Sequence, residues 1–436
     1  MKCPVCRDES AIWENIDRLR LKQFTIDEKT KEKIPIGMSM CSVCGFVTFL
    51  GKHKTEAEIN EYYKKSYRPA PQVQNLFTGE RKLQYHIHFL STLFDEWKKE
   101  GIDKPVVGEI GSAYGMFLNW IKQCFPDSEI CGTELTETFK RVAFHEYGIK
   151  LQDDIDRTKK YDLITSFHVL EHQIDPDIKL KEYASLLKDS GLFYLSFPIW
   201  FREATNGGQG GFDIDQYWHQ DHINSWSEEH AEWIIARAGL EPIMKDTSVY
   251  GNTYLLKKSS KEIITMPKFD RAKYLKTAED IYNAWVLLQE NKTAMAIDVY
   301  KNCPTAWVFH YELNRAKFDK DKTELDKFIK LAIESCPNSA DMLMFAGDVA
   351  ARYGKYEESQ NYLTEALKRK PNSPTILMGI ASSFRMRAKK ETDKNKKNEL
   401  LKKSINILRF IMNISTEMMP QAISWSYHDQ ALIEVE

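Results

Sequence analysis

The turn Glu109-Ile-Gly-Ser-Ala-Tyr-Gly115 constrains this chain more than any other stretch. It follows the apolar pair Val106-Val107 and precedes a helical pattern over residues 116–123. A strand that turns into a helix so quickly needs positions without a Cβ, where the backbone bends sharply or approaches a ligand. The surrounding residues, from about 70 to 260, alternate two periodicities. A helical stretch near 83–97 precedes a strand at 106–109. Further strands are read at 129–133, 163–167 and 192–197, with helical periodicity at 180–187. This alternation predicts an α/β fold, a parallel sheet covered by helices on both faces. Two last apolar runs, 241–244 and 252–256, are expected to close the sheet's edge.

At 436 residues the chain exceeds one ordinary domain of about 100–200 residues. Three segments separate by pattern: 1–65 with paired cysteines, 70–260 with the α/β alternation, and 275–436 with helices only. In the last segment Cys336-Pro-Asn-Ser339 and Lys370-Pro-Asn-Ser373 are two copies of one motif, with Cys303-Pro304-Thr305 about one period earlier. Gly347, Gly354, Tyr356, Ala366 and Pro371 fall where a helix–turn–helix repeat needs small residues and a terminating proline. That pattern resembles the tetratricopeptide repeat, so an all-α repeat domain is expected. The polar stretch 384–400 reads as a loop or an extended helix. Such a repeat offers a surface for a partner protein, for self-association or for a polymeric substrate.

A formal net charge of −2 gives no basic excess of the kind nucleic-acid binders carry. The lysines around 394–403 read as a solvated face. No window approaches about 18 uninterrupted apolar residues, so no membrane span is expected. The N-terminus enters Lys2-Cys3-Pro4-Val5-Cys6 directly, without signal-peptide character, and the cysteine usage reads as cytoplasmic and reduced.

Four of the eight cysteines form two pairs, Cys3-x-x-Cys6 and Cys41-x-x-Cys44. Two thiolate knuckles complete one tetrahedral site, and four cysteine ligands leave no position for water. A structural Zn²⁺ site in a small zinc ribbon is the expectation. A thioredoxin-type redox role would want a β–α context that is absent here.

Polar residues recur where the strands of the α/β segment end. Glu134 follows the second strand and is placed to accept ribose hydroxyls. Asp154 follows the next β–α region, and Ser166-Phe-His-Val-Leu-Glu-His172 ends the fourth. Open α/β sheets bind ligands at these carboxyl ends. Taken together, the loop 109–115, Glu134, Asp154 and the "HVLEH" run resemble the class I S-adenosylmethionine-dependent methyltransferases over about residues 80–258. The resemblance implies a Rossmann-type domain binding S-adenosylmethionine. Gly111 and Gly115 would approach the methionine end with Glu109 below the loop and Ser112 also binding the cofactor. Glu134 would hold the ribose, Asp154 would lie near the adenine amino group, and Phe167 and His168 would line the cofactor's other side. Such loops often carry glycine where this chain has Ala113. The cysteine-rich front end, with Tyr62-Tyr63 behind it, looks like that of bacterial methyltransferases acting on sugars.

After the fifth strand come Asn206-Gly-Gly-Gln-Gly-Gly211 and Tyr217-Trp-His-Gln-Asp-His222-Ile-Asn-Ser-Trp-Ser227. The glycines allow a mobile lid or a plain surface loop. Aromatic walls with a few polar groups suit a hydroxylated acceptor. His222 and His219 are the candidate catalytic bases, because an imidazole can take a hydroxyl proton near neutral pH. Ser225 or Ser227 is expected to cap the helix that follows. The expected activity is methyl transfer to a sugar or glycan, favouring oxygen. A nucleotide-sugar C-methyltransferase and a non-catalytic scaffold with a vestigial domain are the alternatives.

Overall fold

The computed structural model describes residues 2–16, 24–26, 33–35, 38–48, 55–65, 87–199, 222–246, 252–261, 265–337, 339–370, 373–414 and 418–435. They fall into two compact units, one running through Tyr282 and the other from Asn283 onward.

The first unit opens with short strands β1 (Trp13–Asn15), β2 (Phe24–Ile26), β3 (Lys33–Pro35), β4 (Ser39–Cys41) and β5 (Val47–Thr48), then helices α1 (Glu56–Lys65) and α2 (Ile87–Lys99). The α/β portion continues with β6 (Val106–Ile110), α3 (Met116–Cys124), β7 (Glu129–Gly132), α4 (Glu137–Tyr147), β8 (Tyr161–Phe167), α5 (Pro176–Ser185) and β9 (Leu187–Phe197). It closes with β10 (Asn224–Ser225), α6 (Glu228–Arg237), β11 (Leu240–Asp246), β12 (Asn252–Lys258) and α7 (Arg271–Gln289).

Among the described residues the central sheet has the order β11-β12-β9-β8-β6-β7. β6 pairs in parallel with β7 on one edge and β8 on the other, and β8 pairs in parallel with β9. The two last strands run antiparallel, β12 against β9 and β11 against β12. The sheet is therefore mixed, a Rossmann-like arrangement in which β12 alone is reversed, between β9 and the edge strand β11. The run expected to be helical through Leu187 ends at Ser185, because Leu187 already pairs with Tyr161 in the sheet.

One face of the sheet, with Val107, Leu163, Leu192, Tyr194 and Leu255, packs with Leu93 and Trp97 of α2 and Leu118 and Ile121 of α3. Phe89 of α2 stacks on Tyr194, ring centroids 5.3 Å apart. Full burial of side chains this size contributes about 1.5–3 kcal/mol each, so α2 is bound to the sheet by its apolar stripe.

A second, small sheet has the order β1-β4-β5-β10. Its strands β1, β4 and β5 come from the N-terminal 48 residues, and β10 returns from beyond residue 220 to pair antiparallel with β5. Arg7 ion-pairs with Asp175 and with Asp177 of α5, and Arg237 of α6 also reaches Asp177, at 3.3 Å. Arg271 of α7 pairs with Glu14 of β1.

The second unit is helical, with α8 (Thr293–Val299), α9 (Pro304–Leu313), α10 (Arg315–Lys320), α11 (Lys322–Ser335), α12 (Ala340–Arg352), α13 (Tyr356–Arg369), α14 (Pro374–Ala388), α15 (Lys394–Ile414) and α16 (Met419–Val435). The two copies of the Pro-Asn-Ser motif have one structural use. Ser339 caps α12 by accepting from Met342 N, and Ser373 caps α14 by accepting from Ile376 N. The stretch 384–400 is helical at both ends; Asp393 accepts from Asn395 N and Lys396 N and so starts α15.

At Gly347 the helices α12 and α13 meet closely. A Cβ there would lie 2.6 Å from Leu363 Cγ and 3.2 Å from the Ser359 carbonyl oxygen. Gly347→Ala should therefore destabilise the helical unit by about 1–3 kcal/mol, the usual cost of overpacking. Chemical denaturation followed by far-UV circular dichroism checks this, and an unchanged midpoint would contradict the packing.

Candidate active site and metal centre

The sheet reverses its order at β6, and a crevice at the carboxyl ends of β6 and β8 is the place where such a sheet takes a ligand. The turn 109–115 rims it. Gly111 N donates to Thr133 Oγ1 at 3.2 Å, Ser112 N donates to the Thr133 carbonyl at 2.7 Å, and Gly115 N closes onto the Ser112 carbonyl at 2.8 Å. Gly111 and Gly115 have φ of 70° and 72°, and a Cβ on Gly111 would come within 2.7 Å of Val169 Cγ2. The left-handed backbone favours glycine at both positions, and at Gly111 the close approach of Val169 requires it.

Ala113 adopts φ 47°, the same left-handed region. A Cβ there costs about 1–2 kcal/mol, which gives a physical reason for glycine at this point in similar loops. Ala113 N donates to Glu134 Oε2 at 3.0 Å, while Thr136 N donates to Oε1 at 2.8 Å. Glu134 thus stands at the loop, gripped by backbone, with burial raising its pKa despite those bonds.

Glu109 is buried below the turn. Its Oε2 finds no hydrogen-bond partner among the described residues, and burial pushes its carboxyl up to about 8. An orphaned carboxylate oxygen under a glycine turn, with a second carboxylate at the end of the next strand, fits a ligand that carries a cationic group and a ribose. Glu109, Gly111, Ser112, Gly115 and Glu134 are the residues that could hold S-adenosylmethionine here.

Asp154 follows the bridge of Gln152 to Thr133 in sequence. It is exposed, and its carboxylate is engaged by Arg157 at 3.1 Å and by the Ile155 N–H at 2.9 Å. Phe167 packs edge-on against Phe117 and Tyr194, at 5.5 and 4.9 Å. His168 has φ 55° and donates its N–H to the Ser196 carbonyl at 2.8 Å, so the chain turns sharply as it leaves β8.

That turn assembles a cluster that the pattern of residues did not reveal. Glu171 is fully buried; His168 Nδ1 lies 3.3 Å and His172 Nε2 3.8 Å from its Oε1. Burial works to raise the Glu171 pKa, but the neighbouring imidazoles His168 and His172 outweigh it and hold it below the ordinary carboxylate range. The rings of His172 and His222 are 4.9 Å apart, and Tyr63 of α1 lies 5.7 Å from His172 on another side. One ligand atom each of Glu171, His172 and His222 lies within 4.8 Å of the others, a group that could also hold a divalent cation. His219 and the glycine-rich 206–211 lie outside the described residues. Ser227, not Ser225, caps α6, accepting from His230 N.

The four paired cysteines converge as their spacing implies. Cys3 Sγ is 3.6 Å from Cys44 Sγ and Cys6 Sγ is 3.7 Å from Cys41 Sγ, with all four sulfurs within 4.8 Å of one another. Four sulfurs about 2.3 Å from a tetrahedral ion would be separated by about 3.8 Å, so the group fits one Zn²⁺. Hydrogen bonding among the sulfurs drives Cys41 down and Cys3 and Cys44 up. Around them, His230 Nε2 lies 2.9 Å from the Cys44 carbonyl, and Trp233 Nε1 and Arg237 Nη1 donate to the Val5 carbonyl at 3.1 and 2.8 Å. Burial lowers His230 to about 4, so its imidazole is neutral at physiological pH.

Residues 80–245 match the family model described as a methyltransferase domain. The mitochondrial ubiquinone biosynthesis O-methyltransferase of Candida albicans is 30% identical over 95 residues, covering 19% of this chain. The chain spans about 29% of that protein's length. Similar solved structures include an S-adenosylmethionine-dependent methyltransferase from Clostridium acetobutylicum, 14% identical over 47% of this chain and 99% of that one, TM-score 0.33. Another is magnesium protoporphyrin IX methyltransferase from Synechocystis with bound SAH, 15% identical over 47% and 100%, TM-score 0.35. The match to the methyltransferase-domain model spans the β6 turn, Glu134 and the run 166–172.

The Glu109 carboxyl gives a stability signature. Its ordinary value is 4.5 and its folded value about 8, so the folded protein keeps a proton that the unfolded chain releases. The associated stability is complete below the lower value and is lost as pH rises through the upper one. Between about pH 6 and about pH 8.5, wild-type stability should fall relative to Glu109→Gln, whose side chain stays neutral. Denaturant midpoints across that range test this; parallel profiles would contradict it.

Proposed function

We propose that the chain transfers a methyl group from S-adenosylmethionine to a hydroxyl of a sugar or glycan acceptor. The observation that carries the donor half is the β6 turn, with orphaned, buried Glu109 beneath it and Glu134 held at its rim. Bound there, S-adenosylmethionine supplies an electrophilic methyl group on sulfur. Glu109 would meet the donor's cationic amine, Glu134 its ribose hydroxyls, and the turn 111–115 would bring backbone within contact of its methionine portion.

The acceptor half rests on His222. Its ring stands over His172, whose Nε2 faces buried Glu171. In the proposed step the acceptor oxygen forms a bond to the methyl carbon as the carbon–sulfur bond breaks, and His222 takes the hydroxyl proton. Glu171 compensates the charge that appears on the imidazole pair. Alignment of oxygen, methyl and sulfur supplies much of the acceleration, because it replaces a bimolecular encounter with a held geometry. The sugar acceptor is supported by the aromatic and histidine content of 217–227 and by the resemblance of the cysteine-rich front end. His219 remains a second candidate base.

The four cysteines would hold a structural Zn²⁺ in a ribbon that walls the acceptor side. The helical unit, with its repeated Ser-capped helices, fits tetratricopeptide-like repeats that dock a partner protein, a second copy or a polymeric acceptor. No described helix is long and apolar enough to cross a membrane, and we propose a cytoplasmic setting. Among alternatives, C-methylation of a nucleotide sugar would need the same base to form a carbanion.

The test is transfer of labelled methyl to a panel of nucleotide sugars and glycans, with the product's methylated atom assigned by NMR. His222→Asn should lower turnover by about 10²–10⁴ without changing donor affinity. Transfer only to acceptors lacking a sugar would overturn the acceptor assignment. Cys3→Ser should reduce bound zinc from about one per chain and weaken acceptor binding. Unchanged acceptor affinity in a folded Cys3→Ser protein would separate the ribbon from the acceptor site.

A further inference from the structure

The segment that carries His222 has little structure of its own. Asn224–Ser225 is a two-residue strand, and its neighbours on either side are contributed by distant parts of the chain. On one side, Asn224 pairs with Thr48 and Ser225 with Val47 of β5. Thr48 is buried and donates its hydroxyl to the Ile223 carbonyl at 2.8 Å, one residue after His222. On the other side, Asn224 Nδ2 donates to the Leu170 carbonyl at 3.3 Å, beside Glu171 and His172. Trp226 then lies between Phe46 and Phe197, with ring centroids 4.8 and 5.6 Å away.

β5 is in turn short and supported by the cysteine knot. It starts three residues after Cys44, and its other edge pairs with β4, which ends in Cys41. Gly45, between knuckle and strand, has φ 73°, and a Cβ there would lie 2.8 Å from Tyr274 Cδ2, so the turn is packed as well as bent. The Cys44 carbonyl is bound to His230 of α6, the helix that starts directly after Trp226-Ser227. A two-residue strand pair in isolation is marginal in water. Its geometry has to come from what holds each partner.

We infer that the four-cysteine module positions His222, with Thr48 as the residue through which it acts. The inference rests on the proposed role of His222 for its catalytic consequence, but its structural content stands without it. Metal at the four sulfurs fixes the Cys41–Cys44 knuckle, the knuckle fixes β5, and β5 fixes the backbone on which His222 is mounted. The strands β6 and β8 themselves are held by the central sheet and meet this chain of contacts through the Asn224–Leu170 bond. Losing the module therefore separates acceptor chemistry from donor binding.

The test is hydrogen exchange, read by mass spectrometry, on the full zinc-loaded chain, the chelator-stripped chain and loaded Thr48→Val. Valine keeps the shape of threonine but leaves the buried Ile223 carbonyl without its donor. In loaded Thr48→Val, exchange of the peptide covering 222–227 should rise about tenfold or more, while peptides covering 106–110 and 161–167 stay protected. S-adenosylmethionine affinity should remain within about twofold and turnover should fall about tenfold through kcat, since a small displacement of a reacting group is costly. Thr48→Ser should restore both exchange and kcat. Stripping zinc should produce the same local loss of protection; if it unfolds the whole unit instead, the loaded Thr48→Val protein decides. Unchanged exchange at 222–227 in Thr48→Val, or equal loss at 106–110, would overturn the inference. Absence of turnover in wild type with the exchange pattern intact would overturn the proposed activity and leave the mechanical link standing.

Discussion

The two-sided pairing of β6 is the constraint on which the rest of the first unit depends. Val106–Ile110 bonds to β7 along one edge and to β8 along the other, so the connections leaving it must diverge. Divergence opens a gap above its carboxyl end, and the turn 109–115 has to cross that gap without side-chain bulk at Gly111. Burying Glu109 beneath the turn is unfavourable for the ionised form, which is why its carboxyl titrates so high. The folded chain keeps this carboxyl protonated, and a cationic partner entering the gap would favour its ionised form.

The acceptor side obeys a different rule. No single element builds it: Tyr63 comes from α1, Glu171 and His172 from the turn after β8, and His222 from the strand that joins the cysteine-bearing sheet. Its stiffness comes from many weak supports acting together. The Arg7–Asp175–Asp177–Arg237 network and the bonds of His230, Trp233 and Arg237 to the knuckles serve this purpose. The two sides meet at the turn after β8, where Val169 packs against Gly111 and the Leu170 carbonyl accepts from Asn224.

How much of this could be read from sequence follows from the range of each interaction. The β6 turn was legible because glycine spacing, an apolar run and a helix start all lie within fifteen residues or so. The four-cysteine cluster was legible because thiolate pairs advertise themselves, whereas the recurring Pro-Asn-Ser run showed a repeat but not that Ser339 and Ser373 cap helices. The pairing of Asp154 with Arg157 was not read, because an i,i+3 ion pair leaves no mark beyond two charged residues. The reversed direction of β12 left no trace in its apolar run. Hardest to see was the pairing of Thr48 with Asn224, which is two residues long and separated by most of the first unit. For the same reason Glu171 read as part of a motif and not as the buried carboxylate that unites two histidines.

Calorimetric titration of the folded, zinc-loaded chain with S-adenosylmethionine tests the central claim most directly. Saturable binding with a dissociation constant in the micromolar range, about 8 kcal/mol, is the predicted result. Glu134→Ala should weaken it about tenfold or more, the scale of losing charge-assisted hydrogen bonds to a bound ligand. Heats indistinguishable from dilution in the wild-type protein would contradict the account, because the gap above β6 would then hold some other ligand or none.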